Sequence, residues 1–432
     1  MKLTKLSLAA IVVASLTTSS FAADTLADAF KNGKAKGELR AWYFDKEVEN
    51  SSSSSADLIS TGVMLNYITG QFNGFKMGAT MQSNFAPDAD TTAKSVFAKD
   101  MYGSGAVLSE AYLEYGMGKT TAKVGRQFIS TPLVNGSGSR MIKESFEGAT
   151  IVNTDLPATT VMAGYVDKFQ GRTSNSATST IGDAPTFENK AILLGISGIT
   201  AYSFDNAYTA MAVNKSIPNL TLTAQYVSIG DVVITNTKDI GVYYVEGQYV
   251  LPMDGFKLGF GLNFRGSNTD LKDGTKTFDG TYTAGMISIS DLAGFGASFA
   301  AATTSSDDYV VAGMGNGASS YTASLIRAST ATLRGNSDSY RLNVTYDFSK
   351  MGVAGLKGIA QYAWIDQDQV GTATATEDYR SYAAGLDYAV AALKGLTLSV
   401  QYETQEKESS IAGVVQSAID TDELRFRANY KF

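Results

Sequence analysis

The 432 residues include 42 Gly, 23 Tyr and 21 Phe but only 6 Pro, with neither Cys nor His. This excludes a disulfide framework, zinc–thiolate and iron–sulfur sites, and every catalytic pair or metal site built on imidazole. The formal charge of −7 argues against a nucleic-acid binder, and the abundance of aromatic and apolar residues argues against disorder.

The first segment has the pattern of an export address. Lys2 and Lys5 precede the apolar run Leu6–Leu16, and Ser20-Phe-Ala22 offers small residues for cleavage. Roughly 20 apolar residues are needed to cross a bilayer as a helix, so the run is too short for an anchor. Cleavage after Ala22 leaves 432 − 22 = 410 residues and, with two Lys lost, a charge of 33 − 42 = −9. Residues 23–35 then form a short periplasmic lead, and 36–432 one continuous architecture without a Pro-rich or charge-rich linker.

Beyond the lead, apolar and polar residues alternate with period two. Gly74–Ser83, Phe256–Arg265, Tyr340–Phe348, Leu396–Glu403 and Glu423–Phe432 are the clearest cases. In the last, Leu424, Phe426, Ala428, Tyr430 and Phe432 share one face, and Glu423, Arg425, Arg427, Asn429 and Lys431 the other. A soluble sandwich and a membrane barrel give the same local signal. Four features favour the barrel. Many strands approach the ~10 residues of a tilted membrane strand. Aromatics such as Tyr340, Phe348, Trp364 and Tyr402 mark strand ends. Tight and long connections alternate, and an aromatic-rich strand closes on Phe432.

Tight turns are expected near 70–73, 117–118, 154–157, 217–219, 252–255, 291–294, 350–354 and 391–395. Long segments are expected near 47–56, 86–105, 129–146, 168–206, 229–238, 267–278, 305–336, 367–377 and 407–419. Eight turns and nine loops make seventeen connections and eighteen strands, with both ends on the tight-turn side. Ala191–Gly198 is strand-like, but parity places it inside the loop 168–206. The expected fold is an all-β, 18-stranded antiparallel transmembrane barrel with short periplasmic turns and long extracellular loops.

Several runs resemble the OprD-type outer-membrane porins and the related major-outer-membrane-protein porins. They are Leu26–Phe44, with Leu-Arg and aromatics in a first strand, then Ala122-Lys-Val-Gly-Arg-Gln127, Thr131–Arg140, Ser145–Val152 and Gly164–Phe169. The likeness covers essentially the whole mature chain, its strongest motifs lying between 120 and 169. It implies a trimeric outer-membrane porin of a Gram-negative bacterium whose third loop folds inward and narrows the pore.

The third loop, 129–146, carries Arg140, Lys143 and Glu144, with Glu147 just beyond; these are the expected constriction charges. The alternative is an ordinary surface loop. Arg341, Arg425, Arg427 and Lys431 are expected to line the lumen, with Arg126 and Arg380 less definite in facing. They form either a guanidinium row that guides carboxylates or ion pairs that only stabilise the wall. Glu110, Tyr112 and Glu114 share a face, with Lys123 nearly opposite, which favours a wall salt bridge over an acidic step for cations. Asp307 and Asp308 attract cations at the mouth, hold a divalent ion such as calcium, or form a solvated loop tip, the last being favoured. Gly313–Gly317 lacks the strand-then-helix setting of a phosphate cradle and is expected to be loop punctuation. The five Ser of 51–55 suggest a flexible surface loop.

The leading expectation is a passive channel for ions and small hydrophilic solutes, inclined to cations by the acidic mature chain. The alternatives are a channel for carboxylate-bearing solutes such as amino acids or small peptides, and a surface adhesin. No enzymatic activity, cofactor or nucleic-acid partner is expected. The expected partners are outer-membrane lipid, the solutes, two further copies in a homotrimer, and assembly machinery reading the strand that ends at Phe432.

Overall fold

Alternation with period two produces strands that can be solvated differently on their two faces. In the computed structural model, which describes residues 23–97, 101, 104–172, 184–196, 200–274, 276–317, 320–327, 330–370 and 374–432, those strands close on themselves. The wall begins with β1 (Lys34–Glu49), β2 (Ala56–Ile68), β3 (Phe75–Asn84), β4 (Gly105–Met117), β5 (Thr120–Gln127) and β6 (Ser145–Asn153). It continues with β7 (Thr159–Gln170), β8 (Ala207–Asn214), β9 (Leu220–Val233), β10 (Thr237–Met253), β11 (Phe256–Asn268) and β12 (Thr281–Leu292). It ends with β13 (Phe295–Thr304), β14 (Ser337–Asp347), β15 (Leu356–Gln367), β16 (Ala375–Ala389), β17 (Leu396–Ile411) and β18 (Val414–Lys431). All eighteen pair antiparallel with their neighbours, and β1 pairs with both β2 and β18, so Trp42 lies opposite Ser60 on one side and Arg427 on the other. Closure leaves no open sheet edge.

The eight tight turns fall where Gly, Asn, Asp and Pro cluster, and both chain ends lie on the turn rim. There Gly37 and Phe432 exchange two backbone hydrogen bonds of 3.0 Å. The lead holds a short helix, Leu26–Lys31, capped by Thr25, whose side chain accepts from the Asp28 amide. Residues 1–22, the expected export segment, lie outside the described residues.

Two expected long loops are hairpins. β9 and β10 run on to Val233 and from Thr237, and β17 and β18 meet at Ala412-Gly413. Both turn residues have positive φ, 49° and 77°, the twist that a two-residue hairpin needs. The strict alternation lapses in these extensions, which carry adjacent apolar pairs at Val232-Val233 and Val414-Val415. Residues 190–194 pair with 201–203 and 313–314 inside the loop layer rather than in the wall, as parity required.

The outward face is apolar. Leu65, Met77, Leu113, Val245, Phe260, Ile287, Phe299, Val344 and Phe426 are exposed on it. Leu262 is 70% exposed, because its outward neighbours across both ladders are Gly247 and Gly285. Aromatic pairs sit near the turn rim: Phe75–Tyr115 at 4.7 Å, Phe295–Tyr346 at 4.4 Å and Tyr430–Phe432 at 6.2 Å between centroids. Such a band with aromatic girdles is what a lipid-facing wall requires.

Candidate pore constriction

The inward face is not uniformly polar. On β7–β10 it presents Met162, Val166, Met211, Val227, Ile229, Ile240 and Val242, all buried. Left facing water, each would forgo about 1.5–3 kcal/mol of burial. Loops cover them instead. Leu133 and Val134 of the third loop, Ala191–Leu194 of the fourth, Leu271 and Phe278 of the sixth, and Tyr309–Ala312 and Met314 of the seventh pack into the lumen on this side. Backbone bonds tie these loops together. The Met314 amide donates to Leu133 O at 2.8 Å, the Asn135 amide to Met314 O at 3.0 Å, and the Ala312 amide to Leu194 O at 2.7 Å. Gly313 and Gly315 allow this approach. At each, a Cβ would lie 2.4 Å from a third-loop carbonyl, Leu133 O or Asn135 O respectively, and φ is positive. The passage is therefore pushed towards β13–β18 and β1–β4, whose inward residues include Arg40, Gln82, Asn343, Gln361 and Arg425 beside the apolar Trp42, Phe44 and Leu58.

The third loop crosses the lumen. On one side the Leu133 amide donates to Gln225 Oε1 of β9 at 2.9 Å. On the other, Arg40 of β1 donates to Met141 O at 2.7 Å, Arg427 of β18 to Ser139 O at 3.4 Å, and Gln82 of β3 exchanges two 2.9 Å bonds with the Lys143 backbone. The seventh loop, 305–336, forms a second jaw. Tyr321 donates to Glu246 of β10 at 2.5 Å. The Ile326 amide donates to Glu403 of β17 at 2.6 Å, and Arg327 Nε to Gln405 Oε1 at 3.0 Å. Burial, then the nearby Glu246 carboxylate, pushes the Tyr321 hydroxyl up.

Between the jaws, guanidinium groups line β1 and β18. Arg427 lies 4.8 Å from the Trp42 ring centroid and 5.6 Å from that of Phe44; Arg425 is 5.3 Å from Phe44 and Arg40 5.6 Å from Trp42. The two aromatic rings point inward and hold the cations over their faces. Glu423 pairs with Arg425 at 2.5 Å and with Arg327 at 3.4 Å, and Glu38 pairs with Arg40 at 3.2 Å. Among the described residues no carboxylate lies within ion-pair distance of Arg427. Lys143 sits 4.3 Å over the Phe128 ring. Burial pulls its ammonium below the usual lysine range, with Glu110 opposing and Arg40 adding to the fall.

A family model described as "outer membrane porin, OprD family" matches residues 27–432. The chain belongs to this porin family. It is an outer-membrane channel protein of a Gram-negative bacterium, not an enzyme. The porin is similar in fold to Pseudomonas aeruginosa OccK8 (OprE), with TM-score 0.73 and 17% identity over 94% of this chain and 99% of that one. Acinetobacter baumannii OccAB3 gives TM-score 0.75 and 16% identity over 93% and 99%, and Pseudomonas aeruginosa OccK3 (OpdO) gives 0.71 and 19% over 94% and 97%. No curated protein sequence matches the chain.

The expected site residues of the porin separate into four places. Arg140 is buried in the third loop beside the arginine row, and Lys143 lies on the same segment. Arg341 faces inward and donates to Ala323 O of the seventh loop at 3.3 Å. Lys431 is exposed on the inward face at the turn rim. Glu110 accepts from Thr80 at 2.5 Å and from the Phe128 amide at 3.3 Å, which fastens the root of the third loop. Glu114 lies 3.6 Å from Lys76 and 3.7 Å from Lys123, whose ammonium caps the Tyr112 ring at 4.0 Å.

Three expectations on facing need correction. Arg126 and Glu147 share the outward faces of Val124 and Ile151, pair at 2.9 Å, and are joined by Lys168 at 2.6 Å. Arg380 stands outward beside Trp364, paired with Asp366. Arg126 and Glu147 lie near strand ends, where the polar and apolar faces no longer differ in sequence; Arg380 lies further inside β16, on the outward face of Tyr382. Glu144 is enclosed, with no exposed surface, and presents no charge to the passage. Asp307 is exposed, and burial followed by the charges of Asp279 and Asp307 holds the Asp308 carboxyl above the usual range. Among the described residues no group of three or more acidic side chains could hold a metal ion. Sequence reasoning missed the inward Trp42 and Phe44, Arg40, Arg327 and the whole seventh-loop jaw. Gly313–Gly317 was the available signal, three glycines in five residues where chains must touch.

Proposed function

We propose that this porin is a selective channel for small solutes bearing a carboxylate. The observation that carries the reading is the arginine row at the crossing of the third loop, with Arg427 stacked on Trp42 and outside any ion pair among the described residues. A guanidinium held over aromatic rings stays in place, and its donor fork matches a carboxylate. The two acids beside the row, Glu38 and Glu423, are already engaged by Arg40, Arg425 and Arg327. The cation reading required Glu144, Glu147 or Asp307–Asp308 at the narrowest point. Glu144 is enclosed, Glu147 faces outward, and the two Asp belong to the outer end of the seventh loop, so their fields act on the mouth only. An adhesin has no need of an inward third loop. Removal of 1–22, a homotrimer, and recognition of the Phe432 strand by assembly machinery belong to the same proposal.

Reversal potentials in a KCl gradient across planar bilayers test it. Chloride preference, with block or slowed current on adding a small carboxylate, is expected. Clear cation preference overturns it.

A further inference from the structure

We infer that Glu144 is a positioning residue, a latch that closes the charge-bearing bend of the third loop and locks it to the seventh loop. The inference rests on reading these two loops as the constriction. The carboxylate is wholly enclosed, yet it meets partners from three separate segments. Its Oε2 accepts from the Ser137 amide at 2.9 Å and the Asn316 amide at 2.8 Å, and its Oε1 accepts from Asn316 Nδ2 at 2.7 Å. Arg172 Nε, at the root of the fourth loop, lies 3.1 Å from Oε1.

The bond from Ser137 closes a ring, because the Glu144 amide also donates back to Ser137 O at 3.0 Å. Residues 137–144 therefore form a bend pinned at its base, and that bend displays Arg140 and Lys143. The same carboxylate holds Asn316 within the docking strip of the seventh loop, between Met314, which bonds Leu133 and Asn135, and Gly317, whose amide donates to Asn135 O at 2.8 Å. At Gly136, beside the base, a Cβ would lie 2.5 Å from Glu144 O, so the close approach admits only glycine. A buried charge is retained only with donors on it. Here the donors belong to different loops, so the Glu144 side chain holds the loops in one arrangement.

The consequence is specific. Unlatching frees the 137–144 bend from Asn316 and lets Arg140 leave the arginine row, while the Met314–Leu133 and Gly317–Asn135 bonds and the barrel wall are untouched. Charge-assisted bonds of this kind shift an open–closed equilibrium roughly ten- to hundredfold.

The test is single-channel recording with three variants. Glu144→Gln keeps the shape but loses the charge. Asn316→Asp, at neutral pH, sets a second carboxylate against the first. Larger conductance, greater open-channel noise and a reversal potential closer to zero are expected for both. Since the chain has no Cys, Ser137→Cys with Asn316→Cys on the Glu144→Gln background gives one engineered pair. Both backbone amides reach the same oxygen, and a free-thiol assay establishes that the bridge has formed before the currents are read. Oxidation should restore quiet, selective currents and reduction should abolish them. If Glu144→Gln does not refold, Asn316→Asp alone decides. Wild-type-like currents in Asn316→Asp, or noise unaffected by oxidation of the pair, overturn the latch. Cation preference in the wild type overturns the carboxylate reading instead and leaves these comparisons intact.

Discussion

Replacing Arg427 by Ala removes the one lumenal guanidinium that stacks on both Trp42 and Phe44 and lies outside any ion pair among the described residues. A carboxylate passing about 5 Å from that charge, in surroundings with an effective dielectric between about 50 and 80, gains about 0.8 to 1.3 kcal/mol, or roughly four- to ninefold in local concentration. The permeability ratio of chloride to potassium should fall by a comparable factor, and slowing of current by an added carboxylate should weaken in step. Arg427→Lys should retain most of the chloride preference, because the charge stays. It should lose carboxylate affinity, because the planar fork and its stacking are gone. Bi-ionic reversal potentials and solute titrations on the same bilayers separate the two effects. The fall should persist at high salt, since an enclosed charge is poorly screened. Unchanged selectivity in Arg427→Ala, or an equal loss on replacing the outward-facing Arg380, would refute the reasoning.

Leu262→Lys places an ammonium on the most exposed lipid-facing position; refolding into phospholipid vesicles should lose about 2–4 kcal/mol in a urea titration. Asn263→Lys, one residue on and facing inward, should lose less. Burial holds Lys143 below its ordinary range, so the folded state releases its proton first. Stability to denaturant should then rise with pH between that lowered value and the ordinary lysine range, because the unfolded chain binds the extra proton there. Lys143→Met should flatten that rise. Replacing Asp307 and Asp308 by Asn should alter conductance at low salt and leave it unchanged at high salt, since mouth charges are screened. Gly395 has φ of 101° and a would-be Cβ 2.1 Å from Lys431 O. Gly395→Ala should therefore destabilise the β17–β18 closure by more than about 1 kcal/mol in the same urea assay.

The residues alone were enough to count the wall. Alternation and turn chemistry act between neighbours a few positions apart, and strands such as β14 and β18 declare both faces within ten residues. Parity then excluded 190–194 from the wall, because a closed barrel with both ends on one rim admits only an even count. The same locality explains the failures. Glu147 and Arg126 lie near strand ends, next to loops that interrupt the alternation, and Arg380 lies further inside β16 on the outward face of Tyr382. The hairpins at 234–236 and 412–413 were taken for loops because the strict apolar–polar alternation lapses there, with adjacent apolar pairs at Val232-Val233 and Val414-Val415.

The passage itself could not be read along the chain. Val227, Ile229, Ile240 and Val242 alternate as any wall strand does, yet their inward side is covered by loops from four other parts of the sequence. Glu144 looks like an available charge until Asn316, 172 positions away, donates to it. Trp42 and Phe44 look like lipid-facing aromatics until closure of β1 on β18 turns them onto Arg427. Strand, turn and facing follow from short-range sterics and solvation, which a sequence carries in order. Which inward groups remain free to meet a solute depends on what is packed against them, and only closure of the barrel and collapse of the loops into it determine that.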